Sequence, residues 1–475
     1  MPSEFASIQT AIDAAADGDT ILVAPGTYQE NLRYGGRSIT VKSETGARAT
    51  VVDGGLQGSV VRFDSGEGPE SVLEGFTLTR GSGTTGRFEL RGGGILCFGS
   101  SPTVRGNIIT GNSMSWGHGG GIFCQGGAPH IEADSIEHNE IDGRGGGIYA
   151  EESQALIEGN RIEENSASYH GGGIYVTDGE LAIRGNKIIA NESWWGGGID
   201  VIGPAMIEGN IIVWNYAHAE GGGLRCDGDI TLVANTITEN YVFPFGGSGI
   251  YWAGGDGILK ASIVWGNGYG LYDEISVESG SLSVTYSDVR GGWPGIGNID
   301  ADPLLVRRWG ERYALAPDSP CIDGGGLDSS PATWDLLGTP RVLDGNLDGR
   351  PAIDMGALEF GHIRIEVHER VSTMGVHRAP GCEAFVIGLH GSAGMPAYLF
   401  VGAEPGEVVH PKFGPLYLDL SAPWLLVPSG SLPSVFAVAV PPDFPTPVAF
   451  VLQGLALTPA GSAGNTSNQV TLLIE

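Results

Sequence analysis

Gly119-Gly120-Gly121-Ile122 is one of seven copies of a short sequence, and the spacing of these copies decides the fold. Six copies read Gly-Gly-Gly followed by Ile or Leu, and the seventh is interrupted by a serine. Their first residues lie 27, 26, 26, 25, 25 and 25 positions apart, at Gly92, Gly119, Gly145, Gly171, Gly196, Gly221 and Gly246. A period this regular predicts a solenoid, in which each coil buries its apolar face only against its neighbours.

Two columns of polar residues, most of them asparagine, keep the same period. The first is Asn107, Asp134, Asn160, Asn186, Asn210, Asn235 and Ser262, and the second is Asn112, Asn139, Asn165, Asn191, Asn215, Asn240 and Asn267. Short apolar runs between these residues lack helical spacing, and they predict three strands and three corners in each coil of a parallel β-helix. We expect the asparagine amides to hydrogen-bond from coil to coil, and the asparagines to adopt the left-handed corner conformation.

The composition limits the function. The 475 residues include 80 glycines, which fits a turn-rich β protein. The formal net charge is −30, from 55 acidic residues against 25 lysines and arginines, which disfavours nucleic acid as a partner. The same charge predicts repulsion of acidic polymers unless a local patch or Ca²⁺ intervenes. No apolar run is long enough to span a membrane.

The cysteines leave the redox compartment open. Cys97, Cys124 and Cys226 follow the glycine copies at one offset, so alternation points them into the core. Stacking on adjacent coils would put Cys97 and Cys124 within disulfide range, and a pair of buried thiols fits equally well. Cys321 and Cys382 lie outside the repeats and can also pair.

The N-terminal region carries a family resemblance. Residues 6–16 place apolar side chains on one helical face, which predicts a capping helix within residues 1–18. The segments Ser7-Ile-Gln-Thr-Ala-Ile-Asp13 and Gly18-Asp-Thr-Ile-Leu-Val-Ala-Pro-Gly-Thr-Tyr28, followed by Gly-Gly-Gly-Ile-Tyr repeats, resemble secreted proteins of the pectin lyase-like superfamily. The resemblance covers residues 5–360 and implies an all-β, right-handed parallel β-helix, with regular coils over 92–270. Because the superfamily includes lyases, hydrolases, epimerases and adhesins, it implies no single activity.

The last third of the sequence changes character. Residues 300–360 resemble the tail of bacterial surface β-helix proteins, which implies export and a secreted or cell-surface location, with a signal peptide trimmed from this chain. We expect this segment to form a C-terminal cap that covers the last coil. Residues 361–475 alternate prolines with about seven short apolar runs, which predicts a β-sandwich. This region resembles a domain of secreted planctomycete proteins.

Candidate binding and catalytic side chains lie beside the repeated glycines. The residues preceding the copies form a column: Arg91, His118, Arg144, His170, Trp195, Glu220 and Phe245. Trp116, Tyr169, Trp194 and Pro244 lie next to it, and a second outward column contains Leu96, Phe123, Tyr149, Tyr175, Asp200, Arg225 and Tyr251. Such a stripe suits an extended glycan, because sugar rings stack on aromatic side chains while charged groups bind hydroxyls or carboxylates. The candidate binding residues are Arg91, Trp116, Tyr149, Tyr175, Trp194, Trp195, Asp200 and Glu220.

A catalytic interpretation uses part of the same stripe. Proton abstraction beside a uronate carboxylate needs a cation to neutralise the acid and a side chain as base. The candidate catalytic residues are His118, Arg144, Tyr169 and His170. The structural alternative is that these side chains only cover a corner and stabilise it.

One loop contains half of a calcium motif. Asp344, Asn346 and Asp348 precede Gly349, as oxygen ligands precede the glycine of a calcium loop. The closing acid, Asp354, comes one residue early. The sequence therefore predicts either a Ca²⁺ site, the one cofactor it suggests, or an Asx-rich turn.

Three functions follow from the sequence. The first is an exported protein that binds polysaccharide or a cell-surface component without catalysis. The second is a lyase or epimerase acting on a uronate-containing glycan. The third is a structural or assembly scaffold. Neither the oligomeric state nor the particular glycan follows from the sequence.

Overall fold

The computed structural model describes residues 5–86, 89–243, 246–270, 273–308, 312–326, 333–346 and 348–360, and five short strands beyond residue 360. The chain divides into two units, Met1–Phe360 and Gly361–Glu475. The first unit is a β-solenoid. A capping helix, α1, spans Ile8–Ala14 and buries Ile8, Ala11 and Ile12, with Ser7 as a capping-box N-cap.

Four sheets, A, B, D and C in the order in which each coil visits them, run along the solenoid. Sheet A contains Thr20–Val23, Thr40–Ser43, Val72–Glu74, Thr103–Arg105, His130–Glu132, Leu156–Glu158, Leu181–Arg184, Ala205–Glu208, Ile230–Val233, Asp256–Lys260 and Ser281–Thr285. Sheet B contains Gly26–Tyr28, Thr50–Asp53, Thr77–Thr79, Ile108–Thr110, Ser135–Glu137, Arg161–Glu163, Lys187–Ile189, Ile211–Val213, Thr236–Thr238, Ile263–Trp265 and Asp288–Val289. Short 3₁₀ helices lie at Ala47–Ala49 and Asn267–Gly270.

Sheets D and C complete each coil. Sheet D contains Thr84–Thr85, Leu90–Arg91, Ser113–His118, Glu140–Arg144, Ser166–Ala167, Glu192–Trp195, Tyr216–Glu220 and Tyr241–Val242. Sheet C contains Leu32–Arg33, Val61–Phe63, Ile95–Phe98, Ile122–Gln125, Ile148–Glu151, Ile174–Thr177, Ile199–Ile202, Leu224–Asp227, Ile250–Gly254 and Ile275–Val277. Pairing in these sheets is parallel, except between Leu90–Arg91 and Thr84–Thr85.

The prediction of three strands per coil was wrong, because each regular coil contains four. The residues after the second asparagine column form the strands of sheet D, whose inward side chains, such as Met114, Ile141 and Ala167, make a small apolar cluster of their own. Sheets A, B and C enclose the main core. The extra strand was missed because some of its outward side chains are aromatic and many of its inward residues are Gly, Ala or Ser, which hides the alternation typical of a half-buried strand.

The asparagine ladders form as predicted. In the second column each amide nitrogen donates to the amide oxygen of the next coil, at 3.0 Å from Asn139 to Asn165 and from Asn165 to Asn191. The same oxygens accept from the backbone N–H of the preceding column member, and the ladder ends on the Glu274 carboxylate. Each ladder residue therefore satisfies buried backbone groups while joining neighbouring coils.

The prediction that the asparagines themselves adopt the left-handed conformation was wrong. The positive φ belongs to the residue before each ladder position, for example 53° at His138, 50° at Glu164 and 53° at Ala190. The backbone turns at the residue before the asparagine, so that the asparagine amide can point along the solenoid toward the next coil. The preceding residue therefore takes the backbone strain.

The repeated glycines allow close approach between coils. Only the first glycine of a copy has positive φ, such as 72° at Gly119. A Cβ on Gly120 would lie 2.5 Å from the carbonyl oxygen of Gly146, and one on Gly121 would lie 2.5 Å from that of Gly147. A side chain at either position would force the coils apart.

The ladder cysteines are buried thiols. Cys97 and Cys124 pair in register on adjacent strands of sheet C, and Cys226 occupies the same inward column. All three are fully buried and unbridged. Cys321 is also an unbridged thiol, and its proposed partner, Cys382, lies outside the described residues.

Residues 300–360 do not cap the last coil as expected. They include the antiparallel strands Leu305–Arg308 and Arg312–Leu315, and they run along the outside of sheet B. Gly356 donates to the Ala261 carbonyl at 2.7 Å, and Ala357 donates to Thr236 Oγ1 at 2.9 Å. The reason is that one outward position of sheet B changes from charged to apolar along the register: Glu137, Glu163, Ile189, Val213. Trp293 packs against the main core after its last strand.

A buried ion pair holds this outer segment together. Arg341 and Glu359 are both nearly inaccessible, and Arg341 Nη1 lies 2.9 Å from Glu359 Oε1. The same nitrogen donates to the Gly356 carbonyl. Loss of either partner would leave a buried charge without compensation, which costs about 3–5 kcal/mol in folded proteins.

The described strands of the second unit are Ile363–Glu366, Glu383–Val386, Gly388–Leu389, Leu426–Ser429 and Gln469–Leu472. Their pairing is antiparallel. The rest of residues 361–475 lies outside the described residues, so the β-sandwich stays a prediction.

We predict that Asp134→Asn stabilises the protein increasingly as pH rises. Asp134 occupies an asparagine position in the first ladder, and its buried Oδ2 lacks a hydrogen-bond partner among the described residues. Burial raises the pKa of this carboxyl to about 8, so the folded state retains a proton that the unfolded state releases above pH ~4. Stability is therefore lost as pH rises through this window.

The measurement is urea unfolding of both proteins across the same pH range. The difference should be small below pH 4 and approach about 5 kcal/mol above pH 8, because each of the roughly four pH units between the two pKa values contributes about 1.4 kcal/mol. Asn160→Asp, the reverse exchange one coil later, should create the same pH-dependent loss. A difference that does not change with pH would contradict a protonated Asp134.

Candidate functional site

The outer face of sheet D presents aromatic side chains on successive coils. We call the aromatic face Trp116, Tyr169, Trp194, Tyr216, His218 and Tyr241. The exposed fractions of Trp116, Tyr169 and Trp194 are 53%, 41% and 48%, which is unusual for such large apolar side chains. Trp116 meets Tyr169 edge to face, with ring centroids 6.2 Å apart.

Two irregularities in sheet D lie beside the tryptophans. In the first, three steps separate Met114 from Gly117 opposite two in the neighbouring strand, so the extra residue lies in the strand of Trp116 and re-aims its side chain outward. In the second, the extra residue lies in the neighbouring strand Tyr216–Glu220, and Trp194 faces outward by the ordinary alternation of its own strand.

Part of this face was not predicted from the sequence. His218 stacks on Trp194 with centroids 5.6 Å apart, and Tyr216 stacks on Tyr241 at 5.7 Å. The signal was available, because one outward column of sheet D has the same period as the glycines: Ser113, Glu140, Ser166, Glu192, Tyr216, Tyr241. This column was not predicted because it lies four to six residues before the glycines, and its members are polar in four of the six coils.

The column before the glycines lies beside the aromatic face. Arg91 pairs with His118, His118 with Arg144, His170 with Trp195 and Trp195 with Glu220. The structure therefore brings the candidate catalytic residues His118, Arg144, Tyr169 and His170 together on three consecutive coils. Pro244 and Phe245 lie outside the described residues.

The second predicted column faces away from the core but is covered. Tyr149 and Tyr175 are only 2% and 3% exposed, and Asp200 is inaccessible. The His118 ring stacks on Tyr149 at 4.5 Å, and the Arg144 guanidinium lies 5.8 Å from the centre of Tyr175. These three candidate binding residues thus pack beneath the column that precedes the glycines, and they cannot contact a ligand directly.

A charge network orients His170. Its Nδ1 lies 2.7 Å from Asp200 Oδ2, and its ring stacks on Trp195 at 4.8 Å. Arg225 donates to Asp200 Oδ1 at 3.3 Å and to Glu220 Oε2 at 3.1 Å. Burial would lower the pKa of Arg225, but these two carboxylates outweigh it and raise that pKa. The network leaves Nε2 as the ring nitrogen of His170 that is free of the carboxylate.

A second network surrounds His118. Its Nε2 lies 3.0 Å from Glu89 Oε2, and Glu89 also pairs with Arg91 at 3.2 Å. Burial and the nearby Arg144 lower the pKa of His118 against the opposing effect of Glu89, so its ring is neutral at pH 7. Burial also raises the pKa of Tyr149, which keeps that phenol protonated.

The predicted calcium loop uses most of its oxygens internally, although Asp344 Oδ1 is buried without a hydrogen-bond partner among the described residues. Asp344, Asn346 and Asp348 accept backbone N–H groups of Gly349, Asp348 and Arg350, as in an Asx-rich turn. Asp354 is buried, and both its oxygens accept backbone N–H groups. Within the ranges that the structure describes, no group of three or more His, Cys, Asp or Glu side chains is placed to hold a metal. Calcium binding stays a prediction from the sequence.

A groove of about 680 Å³ lies elsewhere, on the outer face of sheet B. It is lined by the loop Thr45–Arg48 and by side chains including Ser135, Glu137 and Arg161. No aromatic side chain lines it. Its mixed charges and lack of stacking surfaces make it a weaker candidate than the aromatic face.

We predict that Asp200→Asn destabilises the protein by about 3–5 kcal/mol, because Arg225 then loses a buried counter-charge and His170 loses the carboxylate that orients it. Glu220→Gln serves as the control, since Glu220 contacts the same arginine but is partly exposed. Its loss should stay below about 1 kcal/mol. Urea unfolding at pH 7 measures both, and equal losses would show that the buried carboxylate does not organise the network.

The family model described as Beta_helix, right handed beta helix region, matches residues 75–212. A search of curated proteins gave no match. Among solved structures, a PL6 alginate lyase in complex with trisaccharide is similar at 14% identity and a TM-score of 0.39, covering 61% of this chain and 80% of that chain. Pectate lyase Pel9A is similar at 16% identity and a TM-score of 0.43, covering 75% and 91%. The family match over residues 75–212 and the parallel pairing of the coils show that the solenoid is a right-handed parallel β-helix.

Proposed function

We propose that this protein binds an extended polysaccharide along the aromatic face. The observation that carries the proposal is the exposure of Trp116, Tyr169 and Trp194 on one side of the solenoid. Large exposed aromatic side chains grouped on one surface typically mark an interaction site. Their flat faces suit the apolar faces of sugar rings, and the polar edges of Tyr and Trp can hydrogen-bond to hydroxyls.

The dimensions of the face favour a chain over a single sugar. Strands of a sheet lie about 4.8 Å apart, and five steps separate Ser113–His118 from Tyr241–Val242. The face is therefore about 24 Å long, enough for several consecutive sugar rings. The ladders and glycine contacts fix the backbone that carries these side chains before a ligand arrives, which reduces the entropy lost on binding.

The double variant Trp116→Ala/Trp194→Ala tests this proposal. We expect it to weaken binding about tenfold or more, because each indole contributes apolar contact area. Affinity electrophoresis through gels containing a polysaccharide measures the change. The control is Trp334→Ala, because Trp334 is 50% exposed but lies outside the aromatic face. Equal loss in both variants, or none in the double variant, would contradict the proposal.

A catalytic function has one specific observation in its favour. His170 is oriented by the buried Asp200 in the way that a general base is oriented by a carboxylate, and the Arg144 guanidinium lies one coil away. A lyase or epimerase acting on a uronate-containing glycan would use Arg144 to neutralise the acid. Incubation with polyuronates should then give the ultraviolet absorbance of an unsaturated product, abolished in His170→Ala. Absence of both this product and epimerised sugar would leave binding alone.

The remaining expectations rest on the sequence. Secretion or surface display is implied only by the resemblance, and it stays a proposal. In the described part of the chain no helix has the length and apolar character needed to cross a membrane. The scaffold function would be favoured only if neither polysaccharide binding nor polysaccharide turnover is observed.

A further inference from the structure

We infer that the polysaccharide bound by the aromatic face is uncharged, an inference that rests on the proposed function. The reason is the charge of the face itself. The outward positions of its strands carry the carboxylates of Glu140, Asp142 and Glu192 and the guanidinium of Arg144. Three negative charges therefore face any ligand, against one positive charge.

Two of these carboxylates lie between the aromatic rings. In the strand Glu140–Arg144 burial alternates, with Glu140, Asp142 and Arg144 exposed and the residues between them buried. This strand separates the strand of Trp116 from that of Tyr169. Neither carboxylate has an ion-pair partner among the described residues. Both are therefore available to a ligand that crosses the coils.

The arginines beside the face other than Arg144 are paired with carboxylates, and Glu192, the third outward carboxylate, contacts a histidine. Glu192 lies 2.9 Å from His218 Nε2. Arg91 pairs with Glu89, and Arg225 pairs with Asp200 and Glu220. These arginines are thus neutralised inside the protein and offer little attraction to an acidic polymer.

Repulsion of a polyuronate would not be screened away. Adjacent coils are about 4.8 Å apart, whereas the Debye length at physiological ionic strength is about 8 Å. A chain with one carboxylate on each ring would place several anions within that distance of Glu140, Asp142 and Glu192. Arg144 can compensate only one of them. The overall net charge of −30 adds to this unfavourable field.

The same carboxylates favour a neutral sugar. A carboxylate is a strong hydrogen-bond acceptor, and sugar hydroxyls are donors, so the resulting bonds are charge-assisted. Glu140, Ser166 and Glu192 follow one another in register and can accept from hydroxyls along the chain, while Trp116, Tyr169 and Trp194 stack on its rings. Arg144 donates to ring or hydroxyl oxygens and does not require an anion.

Matched polymer pairs test the inference. The first pair is hydroxyethyl cellulose and carboxymethyl cellulose, and the second is fully methyl-esterified and de-esterified homogalacturonan. In affinity electrophoresis at low salt we expect retardation by at least one neutral member and none by its acidic counterpart. Because the ligand is uncharged, added salt should change this retardation less than twofold.

The variant Glu140→Gln/Asp142→Asn should reverse the preference. It should weaken retardation by the neutral polymer about tenfold, through loss of charge-assisted hydrogen bonds, while gaining salt-sensitive retardation by the acidic polymer. The control is Glu44→Gln/Glu180→Gln, which removes the same net charge from exposed positions outside the face. The control should behave as the wild type does.

The outcomes separate the two claims. Stronger retardation by the acidic member in the wild type, lost on adding salt, overturns the inference while leaving glycan binding in place. An unchanged preference in Glu140→Gln/Asp142→Asn also overturns it. No retardation by any of the four polymers overturns the proposed function and this inference together.

Discussion

The hydrogen bond between asparagine side chains on adjacent coils is the interaction on which the rest of this structure depends. Each amide in the second ladder donates to the next at 2.9–3.0 Å and also accepts a backbone N–H, so one residue type satisfies two corners of the solenoid. The geometry is restrictive, because the residue before each asparagine must adopt positive φ. The glycine copies impose a second restriction, since their backbones approach too closely for any side chain. Together these contacts keep the coils in register over the length of the repeats.

That register creates the candidate site. A side chain at one position of the repeat is followed about 4.8 Å away by its counterpart in the next coil, so variable outward residues become continuous columns. The buried tyrosines and Asp200 form one column, and they hold the more exposed His118, Arg144 and His170 by stacking and ion pairing. The extra residue in the strand of Trp116 turns that indole outward, and Trp194 faces outward by the alternation of its own strand. Binding surface and scaffold are therefore separate layers, and substitutions in the outer layer can change ligand preference without disturbing the ladders.

The sequence was sufficient to predict the repeat and which of its side chains point inward. It was not sufficient to predict which segments cover the outside of the solenoid. The glycine period and the asparagine columns predict the solenoid, the inward cysteines and the coil-to-coil amide bonds, because each is a local rule repeated at fixed spacing. The fourth strand, the path of residues 300–360 and the burial of Tyr149 depend on contacts between distant segments. The change from Glu163 to Ile189 on sheet B was a readable sign of a covering segment, and the Tyr216 and Tyr241 column was a readable sign of the aromatic face. The complete burial of Asp200 could not be predicted, because it depends on the packing of side chains from neighbouring coils.

The central claim is that the aromatic face is where a glycan binds. Hydroxyl-radical footprinting with mass spectrometry tests it most directly, because oxidation reports the exposure of individual aromatic side chains in the intact protein. With a neutral polysaccharide such as hydroxyethyl cellulose in excess, the account predicts that oxidation of Trp116, Tyr169 and Trp194 falls together. Oxidation of Trp334, which is similarly exposed elsewhere, should not change. Protection of Trp334 with the aromatic face still oxidised would contradict the account.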